Sequence, residues 1–247
     1  MLSLLDAGRT RAGSGGAHRA SLSSIFMRKV SQHGRRIRDL LALFFKISRR
    51  TRAFQKKTGL SCRVRCGACC ESPHIEATVL EMLPLAEVLI RNGEAEALCS
   101  RVEALGDDGR CVFFLPSPSD QEPGCCRAYP LRPLICRLFA FAGNRDKRGH
   151  VRLVTCRVIR KAQPVLAEKA LSDVASGRIM PPILADWVMR ASSIDPELSR
   201  ESLPINIALR NAIERSWLYA ANSLFSQNRS ASLSSCPLTN DREPPIL

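Results

Sequence analysis

The stretch "SCRVRCGACCESPH", residues 61–74, places four cysteines within nine positions, namely Cys62, Cys66, Cys69 and Cys70. The chain of 247 residues contains 11 cysteines, and all but Cys236 lie between Cys62 and Cys156. Such a density of thiols requires a chemical reason, and disulfide partners, nucleophiles and metal ligands are the alternatives. The cysteines mark one domain of the chain, which we place at residues 58–156.

The location of the protein bears on what these thiols do. The amino-terminal stretch "MLSLLDAGRTRAGSGG" has too short an apolar run for an export signal, and it contains Asp6. No later stretch approaches the roughly 20 apolar residues of a membrane span. We therefore expect a cytoplasmic protein without a transmembrane segment. In that reducing compartment, clustered cysteines are more often metal ligands or redox groups than structural disulfides.

The formal net charge of +14 resides mainly at the beginning of the chain. Residues 1–57 contain 14 Lys and Arg against Asp6 and Asp39, a net charge of +12, which leaves +2 for all the other residues. Residues 1–21 consist largely of Gly, Ser, Ala and Arg, and we expect this basic segment to be disordered because it cannot bury enough apolar surface. The charge thus belongs to an appendage rather than to the cysteine-bearing domain.

Residues 22–57 are predicted to form a basic amphipathic helix. Apolar residues recur there at steps of three to four, with Arg and Lys on the opposite side. Such a helix could bind an acidic protein, RNA or a membrane surface, act as a transit-like segment, or dock on the protein with its charged face in water. Binding of nucleic-acid phosphates by this helix is a less favoured interpretation, because we expect no aromatic residue among the basic ones on which bases could stack.

Residues 58–156 are predicted to form a small, irregular α+β domain with few short strands. Thr78 lies three residues before Glu81, which is the spacing of a capping box that begins a helix, and Gly93 is expected to end that helix. A second helix should follow it. The segments that indicate short strands are "CVFFL" (111–115) and "RGHVRLVTC" (148–156).

The chain beyond this domain is predicted to be predominantly helical. Residues 157–225 show helical apolar spacing, with breaks at Gly177 and at the Pro181–Pro182 pair. The aromatic residues expected to pack these helices together are Trp187, Trp217 and Tyr219. Residues 226–247, with five serines, are expected to form a disordered tail.

Short spacers between cysteines allow a tight turn to present several sulfurs to one metal centre. Cys66 and Cys69 flank such a turn, in which Gly67 would let backbone amides hydrogen-bond to sulfur. Further thiols come from separate segments, at Cys111, Cys125, Cys126, Cys136 and Cys156. Because neighbouring thiols rarely bond to each other without strain, we expect the adjacent pairs to direct their sulfurs different ways. A metal centre built in this way would organise the whole domain.

Other interpretations of the thiols are weaker. The C-x3-C-x2-C spacing of Cys62, Cys66 and Cys69 is similar to that of radical S-adenosylmethionine enzymes, but those enzymes need repeated βα units that are not predicted here. A catalytic Cys–His pair would need a low-pKa thiol beside a histidine, and only His74 and His150 lie in the domain. Thioredoxin-type exchange would require a βαβ setting.

Three segments together, "SCRVRCGACC", "CVFFL" and "GCCRAYPLRPLICRLFAF", resemble the CxxCxxCC cysteine-cluster family, the YkgJ-type proteins described as zinc- or iron-chelating. The family pattern Cys-x-x-Tyr-x-x-Arg-Pro-x-x-Cys-Arg-x-Phe is matched in order and spacing by Cys126, Tyr129, Arg132, Pro133, Cys136, Arg137 and Phe139. The resemblance covers about residues 58–156. It departs from the family in the first spacer, because three residues rather than two separate Cys62 from Cys66.

The resemblance implies a metal-binding protein that holds an iron–sulfur cluster, such as [4Fe–4S], or Zn²⁺. The implied metal ligands are Cys66, Cys69, Cys70, Cys111, Cys126, Cys136 and Cys156, and Cys62 is included with them despite its longer spacer. These are more thiols than one tetrahedral zinc can use, so either two centres exist or some cysteines support the ligands. Arg132 or Arg137 could neutralise the negative charge of a thiolate centre and donate hydrogen bonds to sulfur.

Two other classes of function stay open. A flagellin lysine methylase carries a related cysteine cluster, so one alternative is a cluster-dependent enzyme for redox, radical or protein-modifying methyl-transfer chemistry. The chain has no Gly-rich strand-to-helix motif for S-adenosylmethionine, however. The other alternative is an interaction module that acts through the basic helix at 22–57. The sequence does not decide whether the protein is an enzyme.

Overall fold

A computed structural model describes residues 31–63, 66–106, 109–116 and 124–227 of the chain. Several predictions concern segments outside these described residues. They are the disordered segment 1–21, the first part of the basic helix at 22–30, the tail at 228–247 and the thiol of Cys236.

The described residues form eight α-helices and six short strands. The helices are α1 (Gln32–Thr58), α2 (Val79–Arg91), α3 (Ala95–Leu105), α4 (Leu134–Leu138), α5 (Arg157–Ala162), α6 (Pro164–Ala175), α7 (Leu184–Ser192) and α8 (Ile205–Gln227). The strands are β1 (Glu76–Ala77), β2 (Phe114–Leu115), β3 (Cys125–Cys126), β4 (Ala142–Arg145), β5 (Val151–Val154) and β6 (Leu203–Pro204). In the part of the chain that the structure describes, every helix is too short or too polar to cross a bilayer.

Helix α1 buries an apolar stripe and leaves its basic side chains in water. Leu40, Phe44 and Ile47 recur at steps of three to four residues and are buried where α1 packs on α2, α4 and α7. The helix ends at Thr58, whose hydroxyl donates to the Phe54 carbonyl at 2.9 Å. The burial of this stripe fixes which face of α1 remains exposed.

Helix α2 begins at the predicted capping box, and the acidic member of that box also positions a second helix. The Thr78 hydroxyl accepts from the Glu81 amide, and the Glu81 carboxylate accepts from the Thr78 amide. The second oxygen of Glu81 accepts from the amide of Leu134 at 2.7 Å, at the start of α4. Glu81 is buried, and burial raises its pKa. This carboxylate thus fixes the helix that carries Cys136.

The core consists of two clusters of buried side chains. The larger cluster lies among α1, α2, α3 and α8 and includes Leu83 and Ile213. The smaller cluster joins the end of α1 to the β4–β5 hairpin and to α5 and α6, through Phe54, Leu153 and Ile159. The helices after Cys156 are therefore packed on the same core elements as the cysteine-bearing segments.

The strands form three two-stranded antiparallel sheets, β1–β6, β2–β3 and β4–β5. The first of these joins segments that are far apart in sequence, because Glu76 lies opposite Pro204. The predicted α+β class, with few short strands and predominantly helical flanks, is confirmed.

The predicted strands are shorter in the structure than in the sequence pattern. The segment 111–115 contributes only Phe114–Leu115, because the Phe114 amide donates to the Cys111 carbonyl at 2.8 Å and closes a turn. The segment 148–156 contributes only Val151–Val154. The apolar run at 111–115 suits a strand, but its first residues form a buried turn. This turn brings Cys111 into the interior.

The three aromatic residues of the carboxyl-terminal region differ in burial. Trp187 is buried in the larger core cluster, as expected. Trp217 is 37% exposed, so its packing role is limited. Tyr219 accepts a hydrogen bond from Arg36 of α1 at 2.8 Å, and it thereby links α8 to α1 rather than to its helical neighbours.

Candidate metal centre

Six thiols border one pocket of about 520 Å³, part of which opens to solvent. They belong to Cys66, Cys69, Cys70, Cys111, Cys126 and Cys136, and they come from four separate segments of the chain. The wall is completed by apolar side chains, such as Met82 and Ile205, and by Tyr129, Arg132 and Pro133. The structure therefore brings together most of the residues that the sequence predicted as metal ligands.

Two glycines allow the first cysteine loop to approach the third segment. A Cβ atom on Gly67 would lie 2.2 Å from the Gly124 carbonyl oxygen, and one on Gly124 would lie 1.9 Å from the Leu115 carbonyl oxygen. Gly67 has an ordinary φ of −99°, so close backbone contact is what requires a glycine there. The expected donation of backbone amides to sulfur is present, because the amides of Cys69 and Cys70 donate towards the Cys69 sulfur. Gly124 was missed, although its position directly before Cys125 was a usable signal.

The β2–β3 pairing places one cysteine of an adjacent pair in the pocket. Phe114 lies opposite Cys126, and Leu115 opposite Cys125. Successive residues of a strand point to opposite faces, and Cys126 borders the pocket whereas Cys125 is not among its lining residues. The expected divergence of adjacent sulfurs therefore holds here.

The other adjacent pair, Cys69 and Cys70, behaves differently, because both residues border the pocket and their thiols are hydrogen-bonded to each other. The expectation that these two sulfurs diverge is wrong. The pair lies in a short 3₁₀ helix, Ala68–Glu71, which is closed by a hydrogen bond from the Cys70 amide to the Gly67 carbonyl at 2.7 Å.

The Cys70 thiol has one proton, which it can donate to the sulfur of Cys69 or to that of Cys126, and this makes the acceptor more acidic. This hydrogen bond, with the Arg132 guanidinium as a further cause, lowers the pKa of Cys69 and of Cys126 to about 7. The pKa of Cys70 itself is raised, chiefly because it is the donor to either sulfur. Cys69 and Cys126 therefore have substantial thiolate character at neutral pH, and the thiolate is the form that binds soft metals.

The deeper thiols are held in the neutral form. Burial raises the pKa of Cys111 to about 11, although the amides of Phe113 and Phe114 donate towards its sulfur and partly offset that rise. Burial also raises the pKa of Cys136, with contributions from Cys111 and Cys69. A cation in the pocket would reverse this preference, because a coordinated thiol is deprotonated.

Four of the pocket thiols interact electrostatically in every pairwise combination. They are Cys69, Cys111, Cys126 and Cys136, one from each of the four segments. We call this set the thiol tetrad. Cys70 lies beside two of its members, as described above, and Cys66 contacts Cys62.

Arg132 presents an unpartnered donor in the wall of the pocket. Its Nε is buried and has no hydrogen-bond acceptor among the described residues, and its guanidinium lies 3.8 Å from the centroid of the Tyr129 ring. A buried N–H without an acceptor destabilises a fold by roughly 1–3 kcal/mol. An anionic group in the pocket would satisfy this donor. Tyr129, which is 56% exposed, covers the arginine at the pocket mouth.

Arg137, by contrast, is fully engaged by the protein. It donates to the Arg132 carbonyl at 2.8 Å, to the Ser48 hydroxyl at 3.2 Å and to the Pro130 carbonyl. Its guanidinium also lies 4.2 Å from the Phe44 ring centroid, and burial lowers its pKa to about 10. Arg137 is not among the pocket-lining residues. It fixes the Arg132 loop on α1, so the two arginines that the sequence treated as equivalent have different surroundings.

Cys62 and Cys156 lie outside the pocket and next to each other. Cys62 is exposed as a residue, but partial burial of its thiol and the adjacent Cys66 raise its pKa to about 12. The sulfur of Cys156 accepts from the Ile159 amide at 3.3 Å and caps the beginning of α5. His74 is exposed and does not border the pocket. Of the eight predicted ligands, these two cysteines are the ones that do not border the pocket.

The donor set of the pocket fits a soft metal centre. Among the described residues, no three His, Cys, Asp or Glu side chains already form a group that could hold a single metal ion. The thiols surround a space instead, and the unpartnered Arg132 donor faces the same space. Thiolates select zinc and iron–sulfur centres, and hydrogen bonds to sulfur tune both.

Comparison with known proteins agrees with this donor chemistry. The model of the CxxCxxCC family, described as "Putative zinc- or iron-chelating domain", matches residues 61–157. No curated protein and no solved structure matches the chain. The matched segment contains all six pocket cysteines as well as Cys62 and Cys156. The cysteine-bearing part of this chain, residues 61–157, is therefore similar to the CxxCxxCC family.

Proposed function

We propose that the protein binds a metal centre through the thiol tetrad, and that this centre is an iron–sulfur cluster in preference to zinc. The observation that carries the proposal is the convergence of thiols from four chain segments on one pocket. Buried cysteines pack as small apolar residues and need no such arrangement. Four mutually interacting thiols, each supplied by a different segment, match the ligand number of a [4Fe–4S] or zinc centre.

Cys69, Cys111, Cys126 and Cys136 would be the ligands in this proposal. Cys70 would support them, because its thiol lies within hydrogen-bond reach of the sulfurs of Cys69 and Cys126 and can donate to either. Arg132 would neutralise part of the negative charge and donate its free N–H to a sulfur atom. Cys62, Cys66 and Cys156 would not be needed for the tetrad.

Two features favour a cluster over a single zinc ion. The tetrad thiols border one pocket but, among the described residues, form no group that could hold a single metal ion, and a cluster has iron and sulfide atoms that could bridge such a separation. No histidine borders the pocket among the described residues, so the donors are sulfur alone. When bound, such a cluster would supply electron transfer, and zinc would supply structural cross-linking. Because thiolate ligands must stay reduced, we also propose a cytoplasmic location. Assignment to the YkgJ-type subgroup remains a prediction.

One observation favours an enzyme as the second candidate. Tyr129 borders the pocket and is 56% exposed, so the pocket reaches the protein surface beside Arg132. A purely structural centre has no need of such an opening. Cluster-dependent redox chemistry on a small anionic substrate would use both the opening and the arginine.

The test is metal and acid-labile sulfide analysis, with a visible absorption spectrum, of protein purified without oxygen. We expect iron with sulfide in the wild type, and loss of both in Cys69→Ser and Cys136→Ser. Cys99→Ser and Cys125→Ser, which alter thiols outside the pocket, serve as matched controls and should retain full metal. Full metal occupancy in the two tetrad variants would overturn the proposed site. Zinc without sulfide would refute the cluster and leave a structural thiolate site.

A further inference from the structure

The exposed face of α1 carries a row of basic side chains without ion-pair partners. Within the described residues, Arg36 pairs with Asp195 and Arg38 with Asp39. The exposed basic residues of α1 that form no ion pair there are Arg35, Lys46, Arg49, Arg50, Arg52, Lys56 and Lys57. A helix of 27 residues is about 40 Å long, so the charges are spread along an extended line.

An exposed aromatic residue lies within this row. Phe45 is 54% exposed, and the guanidinium of Arg49 lies 6.0 Å from its ring centroid. The expectation that no aromatic residue stands among the basic ones is therefore wrong. The sequence pattern did not reveal this, because Phe45 follows Phe44 and only the packing shows that Phe44 alone is buried. An exposed ring beside an arginine is a surface on which a base can stack.

A second group of unpaired basic residues adjoins the end of α1. It lies on the β4–β5 hairpin and α5, and its exposed members without an ion pair in the described chain are Lys147, Arg148, Arg152, Arg157, Arg160 and Lys161. The Ser61 amide donates to the Gln163 side chain at 3.1 Å, and that side chain donates back to the Ser61 carbonyl at 2.8 Å. These hydrogen bonds, with the shared core of Phe54 and Ile159, hold the end of α1 against α5.

We propose that these two groups form one surface, which we call the basic track, and that it binds the phosphodiester backbone of a nucleic acid. Arginines outnumber lysines in the track, and the guanidinium group binds phosphate oxygens in pairs. The extended line of like charges complements a polymer with regularly spaced negative charges. Residues 1–30 cannot neutralise the track, since Asp6 is their one acidic residue against five Arg and Lys.

A membrane fits this surface less well. An amphipathic helix binds a bilayer through its apolar face, and the apolar stripe of α1 is occupied in the core by residues such as Leu40 and Ile47. The exposed apolar residues of α1 are Leu41 and Phe45, which offer little area for insertion. We therefore propose a nucleic acid, rather than a membrane, as the ligand of the basic track.

The test uses fluorescence anisotropy of the full chain with a short labelled single-stranded RNA and a labelled DNA duplex, over a series of salt concentrations. The triple variant Arg49→Gln, Arg52→Gln, Lys56→Gln should weaken binding more than about tenfold. It should reduce the steepness of log affinity against log salt by about 2.7 for the duplex and about 2.1 for the single strand, at roughly 0.9 and 0.7 per lost phosphate contact. Phe45→Ala should weaken RNA binding several-fold and leave the duplex unaffected.

The control is Arg190→Gln, Arg200→Gln, Arg215→Gln, which removes the same charge from exposed positions outside the two groups of the track. It should bind within about twofold of the wild type, and each variant should keep its wild-type circular dichroism and metal content. Equal loss in the control would show a non-specific charge effect and overturn the proposal. Absence of wild-type binding even at low salt would overturn it as well. Retention on phosphatidylserine vesicles without nucleic-acid binding would identify a membrane instead.

Discussion

The cysteine pocket and the Asp173 site on α6 differ in whether their buried polar groups have hydrogen-bond partners within the protein. Asp173 is 5% exposed, and its carboxylate accepts from Lys169 at 2.6 Å and from Arg178 at 2.8 Å, which lowers its pKa. In the pocket, by contrast, Arg132 has a buried N–H without an acceptor among the described residues, and Cys136 is half-buried with a raised pKa. A polar group that the protein satisfies belongs to the fold. An unsatisfied donor on a residue in the wall of a thiol-lined pocket, as in Arg132, is available to a group bound there.

Removal of metal should have the largest effect, and it should destabilise the cysteine pocket much more than the Asp173 site. Binding energy at a thiolate centre is also folding energy, so we expect metal-free protein to lose at least about 5 kcal/mol of unfolding free energy. Hydrogen exchange should show lost protection in the segments 66–70 and 134–138, and unchanged protection in α6. Equal loss of protection in α6 would mean that the pocket and the α6 region unfold as one unit, and would contradict the contrast drawn above.

Gly124→Ala should have the next largest effect, because its new methyl group would meet the Leu115 carbonyl oxygen at 1.9 Å. Overpacking of this kind costs about 3 kcal/mol, measured as the free energy of unfolding in urea. Gly149→Ala is the matched control, since Gly149 has a φ of +85° but nothing within 4 Å of the added atom. It should cost about 1 kcal/mol from backbone strain alone. Equal costs for the two variants would rule out the close contact as the cause.

The two arginines provide a sharper comparison. Arg137→Met removes the donor to three oxygen atoms and should destabilise the protein by about 2 kcal/mol with or without metal. Arg132→Met removes an unpartnered donor, so metal-free protein should be unchanged or slightly more stable. Metal retention against a chelator should fall only in the Arg132 variant. Strong destabilisation of the metal-free Arg132 variant would show that its N–H already has a partner.

The Asp173 site should give the smallest effect, and one that depends on pH. Its lowered pKa means that the ion pairs stabilise the fold above the ordinary Asp pKa of about 3.9 and that this contribution is lost as pH falls through the folded-state value. The difference in unfolding free energy between wild type and Asp173→Asn should therefore be largest near neutral pH and shrink in acid. Lys169 and Arg178 are mostly exposed, so water screens both pairs. A difference that grows in acid would contradict this assignment.

Local signals in the sequence predicted local structure well. The Thr78–Glu81 capping box and the glycine stop at Gly93 are both present, because each depends on residues within one turn of the other. Most residues of the candidate site could also be predicted from the sequence, because cysteine is chemically distinctive wherever it occurs. Gly124 and the second hydrogen bond of Glu81 were missed, because each acts on a partner that only the fold brings near.

The sequence by itself determined the α+β class, the set of thiols and the excess of positive charge at one end of the chain. Only the tertiary structure decided that Cys62 and Cys156 lie outside the tetrad, that Arg132 rather than Arg137 faces the thiols, and that Phe45 is exposed among the basic residues of α1. The physical reason is the range of the interactions. Caps, turns and charge counts involve neighbours in sequence, whereas burial, hydrogen-bond partners and thiol contacts depend on segments far apart in the chain, such as Arg36 and Tyr219, which are 183 residues apart.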